Sequence, residues 1–310
     1  MALAIETQDL TKTYGSFVAV DKLSLSVEEG EVFGFLGPNG AGKTTTILML
    51  LGLTQATSGS ARVHDYNALH DFMKLRSITG YLPENVGLYD DLTAEENLLY
   101  TARLNGLGRE KARERIAWAL ARVGLAEVAQ KVVGKFSRGM RQRLGIADVL
   151  IKQPRIVFLD EPTAGLDPEG VNQLLNNITS LNREEGITVF VSSHMLHQVQ
   201  KICHRVGILS RGRMVALGAV GELSRQAFGQ DNMIIEIEVR GEDERLRDSL
   251  KQVKGVRSLE KEGPLLVLDC EADVRAEVAR ATLESGCSVL EIRSRALGLE
   301  ELYHQYFHEE

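Results

Sequence analysis

"GPNGAGKTT", Gly37 to Thr45, stands between an apolar run, Val32 to Leu36, and a second one with helical spacing, Ile47 to Leu53. It fits G-x-x-x-x-G-K-[ST], with Gly37, Gly42, Lys43 and Thr44 in the fixed places and Pro38, Asn39, Gly40, Ala41 and Thr45 completing the loop. Glycines let successive backbone N–H groups curl around an anion, and the helix that follows adds the positive end of its dipole. Lys43 is placed to reach β- and γ-phosphates, and the Thr44 hydroxyl to ligate Mg²⁺. A buried strand, this loop and a helix in that order predict a nucleotide site. What the chain does with the nucleotide must be read elsewhere.

With 310 residues the chain exceeds one average domain, and two unequal domains are expected. A net charge of −7 argues against a chain-wide basic surface, so no nucleic-acid partner is expected. Cys203, Cys270 and Cys287 are odd in number and lack C-x-x-C spacing, which predicts reduced thiols rather than a disulfide framework or a zinc site. The opening "MALAIETQDL" carries acids early and no basic region, so no signal peptide is expected. The longest apolar stretch, "ILMLLGL", is about a third of a bilayer span. A chain of this kind serves a membrane only by docking to a partner that crosses it.

Residues from about 3 to 36 alternate as strands do, with turns at Tyr14 to Ser16 and at Glu29–Gly30. Between about 90 and 150 the period becomes helical, in "TAEENLLYTARL" and "REKARERIAWALARVGL". Thr93 with Glu96 reads as a capping box, and Ile116, Leu120 and Val123 share one helix face. "RIVFLD", "TVFVSS", "RVGIL" and "RMVAL" are strand-like and separated by helices, as in an α/β parallel sheet covered on both faces. After about Gly229 the order becomes strand, helix, strand, strand, helix, strand, from "MIIEIEV" to "SVLEIRS". That order predicts a small ferredoxin-like α+β domain, with a terminal helix around "LEELYHQYF". No nucleotide motif recurs there, so a docking or regulatory role is expected.

"RIVFLDEP" puts Asp160 and Glu161 at the end of a buried strand. An acid leaving the sheet beside a phosphate loop can hold Mg²⁺, and its neighbour can polarise an attacking water. Between the two motifs lies "FSRGMRQRL", Phe136 to Leu144. It resembles the signature of ATP-binding cassette (ABC) proteins, usually LSGGQ, altered here to Phe136-Ser137-Arg138-Gly139-Met140.

By that resemblance, residues 3 to 220 are identified as a member of the ABC family. The resemblance implies a P-loop NTPase cassette with a RecA-like core, an antiparallel β subdomain and a helical subdomain over about 90–150. The cassette would span 1–228 and an accessory domain 229–310. It also implies that Tyr14 stacks on adenine, that Glu84 stands at the Q-loop, that "AGLDP" with Asp167 is the D-loop, and that His194 senses the γ-phosphate. "GYLPE", "FSRGMRQRL" and "GLEELYHQY" look most like type-2 exporter cassettes, the branch that moves drugs, lipids, polysaccharides or small ions. "YLPENV" with "GMRQRLG" is similar also to cassettes that support copper-site maturation in nitrous-oxide reductase.

Such cassettes bind two ATP molecules between two chains. Ser137 and Gly139, at a helix N-terminus, would face a γ-phosphate on the opposite cassette. The family further implies Mg²⁺ held by Thr44, Asp160 and Glu84, Glu161 as general base, and Lys43 and His194 on the phosphates. A second cassette, as an identical copy in a homodimer, and an integral membrane permease are the implied partners. The permease would meet Asn85, Leu88 and Tyr89, and the chain would sit peripherally on the cytoplasmic face. Three positions depart from the pattern. Arg138 replaces a glycine, losing backbone freedom but bringing a cation near phosphates. Glu84 replaces glutamine, giving up amide donors while keeping an oxygen for metal or water, and Met140 replaces the signature glutamine.

"SSHMLHQVQKICH" gathers His194, His197, Cys203 and His204 but no closed set of four ligands. Arg141 and Arg143 read as an exposed helix face. The alternative is a soluble ABC ATPase acting on ribosomes or DNA. Those proteins carry paired cassettes or long coiled-coil insertions, and the sequence has one uninterrupted cassette.

Overall fold

The computed structural model describes residues 2–219, 221–223, 233–242 and 244–296. The expected helix around Leu299 to Phe307 lies outside the described residues. The chain divides into two compact units, Met1–Ala219 and Val220–Glu310, a division somewhat before the sequence-based boundary at 228.

The N-terminal alternation becomes a hairpin. Strand β1 (Leu3–Tyr14) pairs with β2 (Phe17–Glu28), and Tyr14 faces Phe17 across the Gly15–Ser16 turn. Two further strands complete this antiparallel sheet, in the order β2-β1-β4-β5. Before them come β3 (Val32–Leu36) and α1 (Lys43–Leu50), then β4 (Ser58–Val63) and β5 (Tyr66–Asn67). The sequence did not announce β4: "SGSARV" is polar, and four of its residues are exposed. Its pairing to β1, not its composition, makes it a strand.

Helix α2 (Phe72–Ile78) leads to β6 (Thr79–Leu82). The helical segment holds α3 (Ala94–Leu104), α4 (Arg109–Arg122) and α5 (Arg138–Leu150). Thr93 and Glu96 form the capping box, and Ile116, Leu120 and Val123 are buried together. Then follow β7 (Ile156–Asp160), α6 (Pro168–Glu185), β8 (Thr188–Ser193), α7 (Leu196–Val199), β9 (Arg205–Ser210) and β10 (Arg213–Ala219).

The second sheet has the order β10-β9-β3-β8-β7-β6. Five of its strands are parallel, and β3, β7 and β8 are buried at every residue, as strands covered on both faces must be. Phe33 and Phe35 of β3 and Phe158 of β7 close around Phe190 of β8, with ring centroids 5.2–5.5 Å apart. One expectation fails at the edge. β10 is not reached through a helix; it turns back antiparallel on β9 through Arg211 and Gly212, both at positive φ (47° and 79°). Two successive left-handed residues make a tight hairpin, and "RG" was the overlooked signal.

The second unit contains β11 (Met233–Arg240), α8 (Glu244–Lys251), β12 (Val256–Glu262), β13 (Leu265–Cys270), α9 (Arg275–Glu284) and β14 (Ser288–Ala296). Its sheet is antiparallel in the order β12-β13-β11-β14, over a separate core that includes Ile235, Ile237, Leu246, Leu266 and Val278.

Candidate functional site

Parallel register gathers the chemistry at one end of the second sheet. Leu36 is level with Ser193, and Asp160 with Ser192. The next residue along each strand therefore leaves the sheet at the same place: Gly37, Glu161 and His194. The crossing is pinned by Gly37 N–H to the Ser193 carbonyl at 3.2 Å and Glu161 N–H to the Ser192 carbonyl at 3.2 Å.

The loop can be built only from small residues. A Cβ on Gly37 would fall 2.3 Å from the Leu209 carbonyl oxygen, and one on Gly42 would fall 2.4 Å from that of Ala19. Gly42 also has φ 106°, outside the range of residues with side chains, and it starts α1. Lys43 is buried, and its ammonium donates to the carbonyls of Gly37 at 2.7 Å and Pro38 at 3.0 Å, with Glu161 Oε1 at 3.0 Å.

Glu161 has φ 47°, a left-handed conformation that few non-glycine residues adopt. This turns the chain sharply off β7 and aims the carboxylate back toward the loop. Its Oε2 accepts from the backbone N–H of His194 at 3.3 Å and lies 2.8 Å from His194 Nδ1. The carboxylate is thus shared between the phosphate-loop lysine and the histidine. Beneath it, the Ser192 hydroxyl donates to Asp160 Oδ1 at 2.5 Å and accepts from Glu161 N–H at 3.1 Å. Asp160 is buried, and burial first and its charge second push the Tyr81 phenol up to about 12. Ser192 was not singled out from the sequence; its position level with Asp160 is what gives it a role.

A cleft of about 390 Å³ opens over the loop. Asn39, Gly40, Gly42, Lys43, Thr44 and Thr45 of the loop line it, together with Glu161, Glu84, Phe17 and Ala19. Oxygen donors at Thr44, Glu84 and Glu161 suit a hard cation such as Mg²⁺. Pro38 and Ala41 shape the loop backbone, where Ala41 N–H meets the Pro38 carbonyl at 3.2 Å. Tyr14 does not line this cleft. It is exposed at the hairpin tip with Lys12 Nζ 4.7 Å from its ring centre, while its cross-strand neighbour Phe17, 62% exposed, does line it. An aromatic directly opposite Tyr14 across a two-residue turn was the signal missed.

Ser137, Arg138, Gly139 and Asp167 form a second group, away from that lining. Ser137 caps α5 by accepting from Met140 N–H at 3.2 Å, and Asp167 caps α6 by accepting from Gly170 N–H at 3.3 Å. The two caps adjoin: a Cβ on Gly139 would meet Leu166 at 3.9 Å, and one on Gly165 would meet the Arg138 guanidinium. Asn85, Leu88 and Tyr89 follow Glu84 on a surface loop, with Tyr89 half exposed and edge-on to Tyr100 at 5.1 Å. Arg141, read as a plain exposed residue, pairs with Asp90 at 2.6 Å and so joins α5 to this loop. Among the described residues no cluster of three His, Cys, Asp or Glu is arranged to hold a metal alone.

A second cleft, about 330 Å³, lies at the opposite end of β7 and β8 between Trp118, His64 and Arg155. Its charges are largely paired within the chain: Glu29 Oε1 takes both His64 Nδ1 at 2.7 Å and Arg155 at 2.8 Å. It lacks a phosphate loop, and the nucleotide reading belongs to the first cleft.

A profile of the ABC transporter family matches residues 20–164. The chain is 45% identical over 215 residues to the bacitracin transport ATP-binding protein BcrA of Bacillus licheniformis, covering 69% of each. The chain belongs to the ABC transporter family. It is an ATP-binding, ATP-hydrolysing ABC subunit, and its relatives put it in the type-2 exporter branch. The daunorubicin/doxorubicin resistance ATP-binding protein DrrA of Streptomyces peucetius is 36% identical over 305 residues, 96% of this chain and 90% of that protein, so that likeness extends into the second unit. Among solved ABC cassettes, dimeric MJ0796 in a post-hydrolysis state with ADP and Pi matches with TM-score 0.63 and 26% identity, over 69% of this chain and 98% of that one. Among the described residues no helix is long and apolar enough to cross a membrane.

Proposed function

We propose that two copies of this chain close around two ATP molecules and thereby drive an export permease in the membrane, at whose cytoplasmic face they are held. The observation that carries the reading is the shared carboxylate: Glu161 sits between Lys43 and His194 at the mouth of a glycine-built phosphate loop. The loop's N–H groups and Lys43 bind the phosphates, and phosphate oxygens compete with Glu161 for the ammonium. Released from Lys43, the Glu161 carboxylate accepts a proton from the attacking water, and His194 turns toward the γ-phosphate. Thr44 and Glu84, with Asp160 behind them, are the residues that would hold Mg²⁺, which supplies charge neutralisation on the β- and γ-oxygens. Phe17 and Tyr14 offer aromatic faces to adenine.

The second copy is supported by the dimeric state of MJ0796, and Ser137 and Gly139 are the groups this chain would present to its partner's ATP. The loop of Asn85, Leu88 and Tyr89 would receive the permease. The second unit is an accessory domain with a docking or regulatory role. Relatives named for bacitracin transport and for drug resistance favour export over action on ribosomes or DNA. Fractionation tests this: the chain should sediment with membranes and become soluble when its permease is deleted. Sedimentation with ribosomes would overturn the assignment.

A further inference from the structure

Two residues of the cleft opposite the phosphate loop carry a buried polar atom without a hydrogen-bond partner among the described residues: His64 Nε2 and Arg115 Nε. Leaving a buried donor or acceptor unmet costs free energy, so two around one cavity call for a partner. They offer opposite chemistry. The His64 side chain is only 2% exposed, and its Nδ1 lies 2.7 Å from Glu29 Oε1. Glu29 also takes Arg155 at 2.8 Å, so its carboxylate is ionised and can only accept. The His64 proton therefore sits on Nδ1, and in the neutral ring Nε2 is an acceptor. Arg115 is the reverse. Its guanidinium stacks 4.0 Å over the Trp118 ring and its Nη2 donates to the Leu150 carbonyl at 2.9 Å, which leaves Nε–H as a fixed donor.

The two acids of the cleft are committed to other cations: Glu185 to Arg122 at 2.8 Å, and Glu29 to His64 and Arg155. Arg115 is thus a half-buried cation that no acid among the described residues meets as an ion pair. A guanidinium of this kind suits a carboxylate. Leu150, Pro154 and Ile187 add apolar lining for a carbon skeleton. The volume, about 330 Å³, is at the small end of ligand pockets, which run from about 300 to 1,000 Å³. We infer that this cleft binds a small hydroxylated carboxylate, its carboxylate accepting from Arg115 Nε–H and a hydroxyl donating to His64 Nε2. Such a molecule bridges three parts of the first unit: α4 through Arg115, the turn between β4 and β5 through His64, and the starts of β7 and β8 through Arg155 and Ile187. None of these residues lines the nucleotide cleft, so the ligand is an effector distinct from ATP.

Trp118 is the only tryptophan of the chain and lies against Arg115, so its fluorescence reports on the cleft. The full chain is titrated with lactate and gluconate, with their hydroxyl-free counterparts propionate and hexanoate, and with sorbitol, which lacks the carboxylate. At least one of lactate and gluconate should change the emission saturably and raise the melting temperature. Its hydroxyl-free counterpart, and sorbitol, should bind about tenfold more weakly or worse, the scale of one lost hydrogen bond to a buried or charged group. Arg115→Gln and His64→Asn, the latter suited to the φ of 49° at that position, should each weaken binding to the same degree and leave ATP affinity unchanged. No saturable change with either hydroxy acid overturns the inference and leaves the cleft to water. Equal binding of a hydroxy acid and its hydroxyl-free counterpart, or full binding by either variant, overturns it too. Should a variant lose ATP binding as well, the ligand series on the parent chain decides.

Discussion

Lys43 Nζ lies 3.0 Å from Glu161 Oε1. The two residues form an ion pair, both almost wholly buried, and in the proposed mechanism one grips phosphate and the other activates water. In the proposed mechanism, ATP exchanges that pair for a lysine–phosphate pair, so nucleotide arrival and release of the carboxylate are one event.

The pair makes Glu161→Gln informative in two ways. Hydrolysis should fall by about 10²- to 10⁴-fold, the usual share of a general base. ATP affinity should rise severalfold, because a neutral amide competes less well for Lys43. Fluorescent-ATP titration with a phosphate-release assay measures both. A variant that turns over normally removes Glu161 from the role of base, and one that binds ATP more weakly shows that the pair does not compete with nucleotide.

Phe17, not Tyr14, lines the cleft, although the two face each other across the hairpin. Phe17→Ala should weaken ATP binding by about 1 kcal/mol or more, the low end for losing an aromatic stacked on a base. Tyr14→Ala should cost less. Calorimetric titration of the two variants decides the matter, and a larger loss at Tyr14 would return the adenine contact to it.

Glu84 puts a carboxylate where the family has an amide, and it lines the same cleft as Thr44. Glu84→Gln should therefore move the Mg²⁺ midpoint of hydrolysis as well as its rate. An unchanged Mg²⁺ titration would mean that the carboxylate does not approach the metal.

The capping box of α3 gives a pH-dependent outcome. Hydrogen bonding to Thr93, its backbone N–H first and its side chain second, holds the Glu96 carboxyl below its ordinary value. A depressed carboxyl stabilises the fold above its unfolded pKa, and that stability is lost as pH falls through the folded one. Glu96→Ala should lower the melting temperature at pH 7, and the gap from the parent chain should close on acidification below the ordinary glutamate range. A gap that stays constant would separate the loss from ionisation.

Local signals explain which parts of this molecule were legible. The glycine loop, the Thr93 box and the uniformly apolar β3, β7 and β8 each report their structure through neighbours in sequence. Long-range pairing does not. Strand β4 owes its state to β1, Ser192 owes its contact with Asp160 to register between two strands, and Phe17 reaches the cleft because a hairpin leans over the loop. The contact of Arg138 with Gly165 joins two motifs read separately in the sequence, and no spacing rule links them.

The loop after Glu84 carries the last prediction. Asn97 of α3 clamps its backbone, accepting from Tyr89 N–H at 2.9 Å and donating to the Tyr89 carbonyl at 3.1 Å. Four residues therefore separate a carboxylate in the nucleotide cleft, Glu84, from the Tyr89 backbone anchored on the helical segment, and Arg141 adds the bond from Asp90 to α5. With the backbone fixed, the Tyr89 ring remains 51% exposed beside Tyr100, which is 45% exposed. Leu88 is half-buried next to them, so the segment is neither folded under the helices nor left free. Exposed aromatic pairs on a held backbone make good anchors, because little freedom is lost on docking. Leu88→Ala with Tyr89→Ala should leave ATP binding by the isolated chain nearly intact, since neither residue lines the cleft. The same pair should weaken attachment to the permease by about 2 kcal/mol or more, read as loss of copurification or of transport per ATP hydrolysed. A double variant that folds, copurifies and transports normally would place the coupling surface elsewhere on the chain.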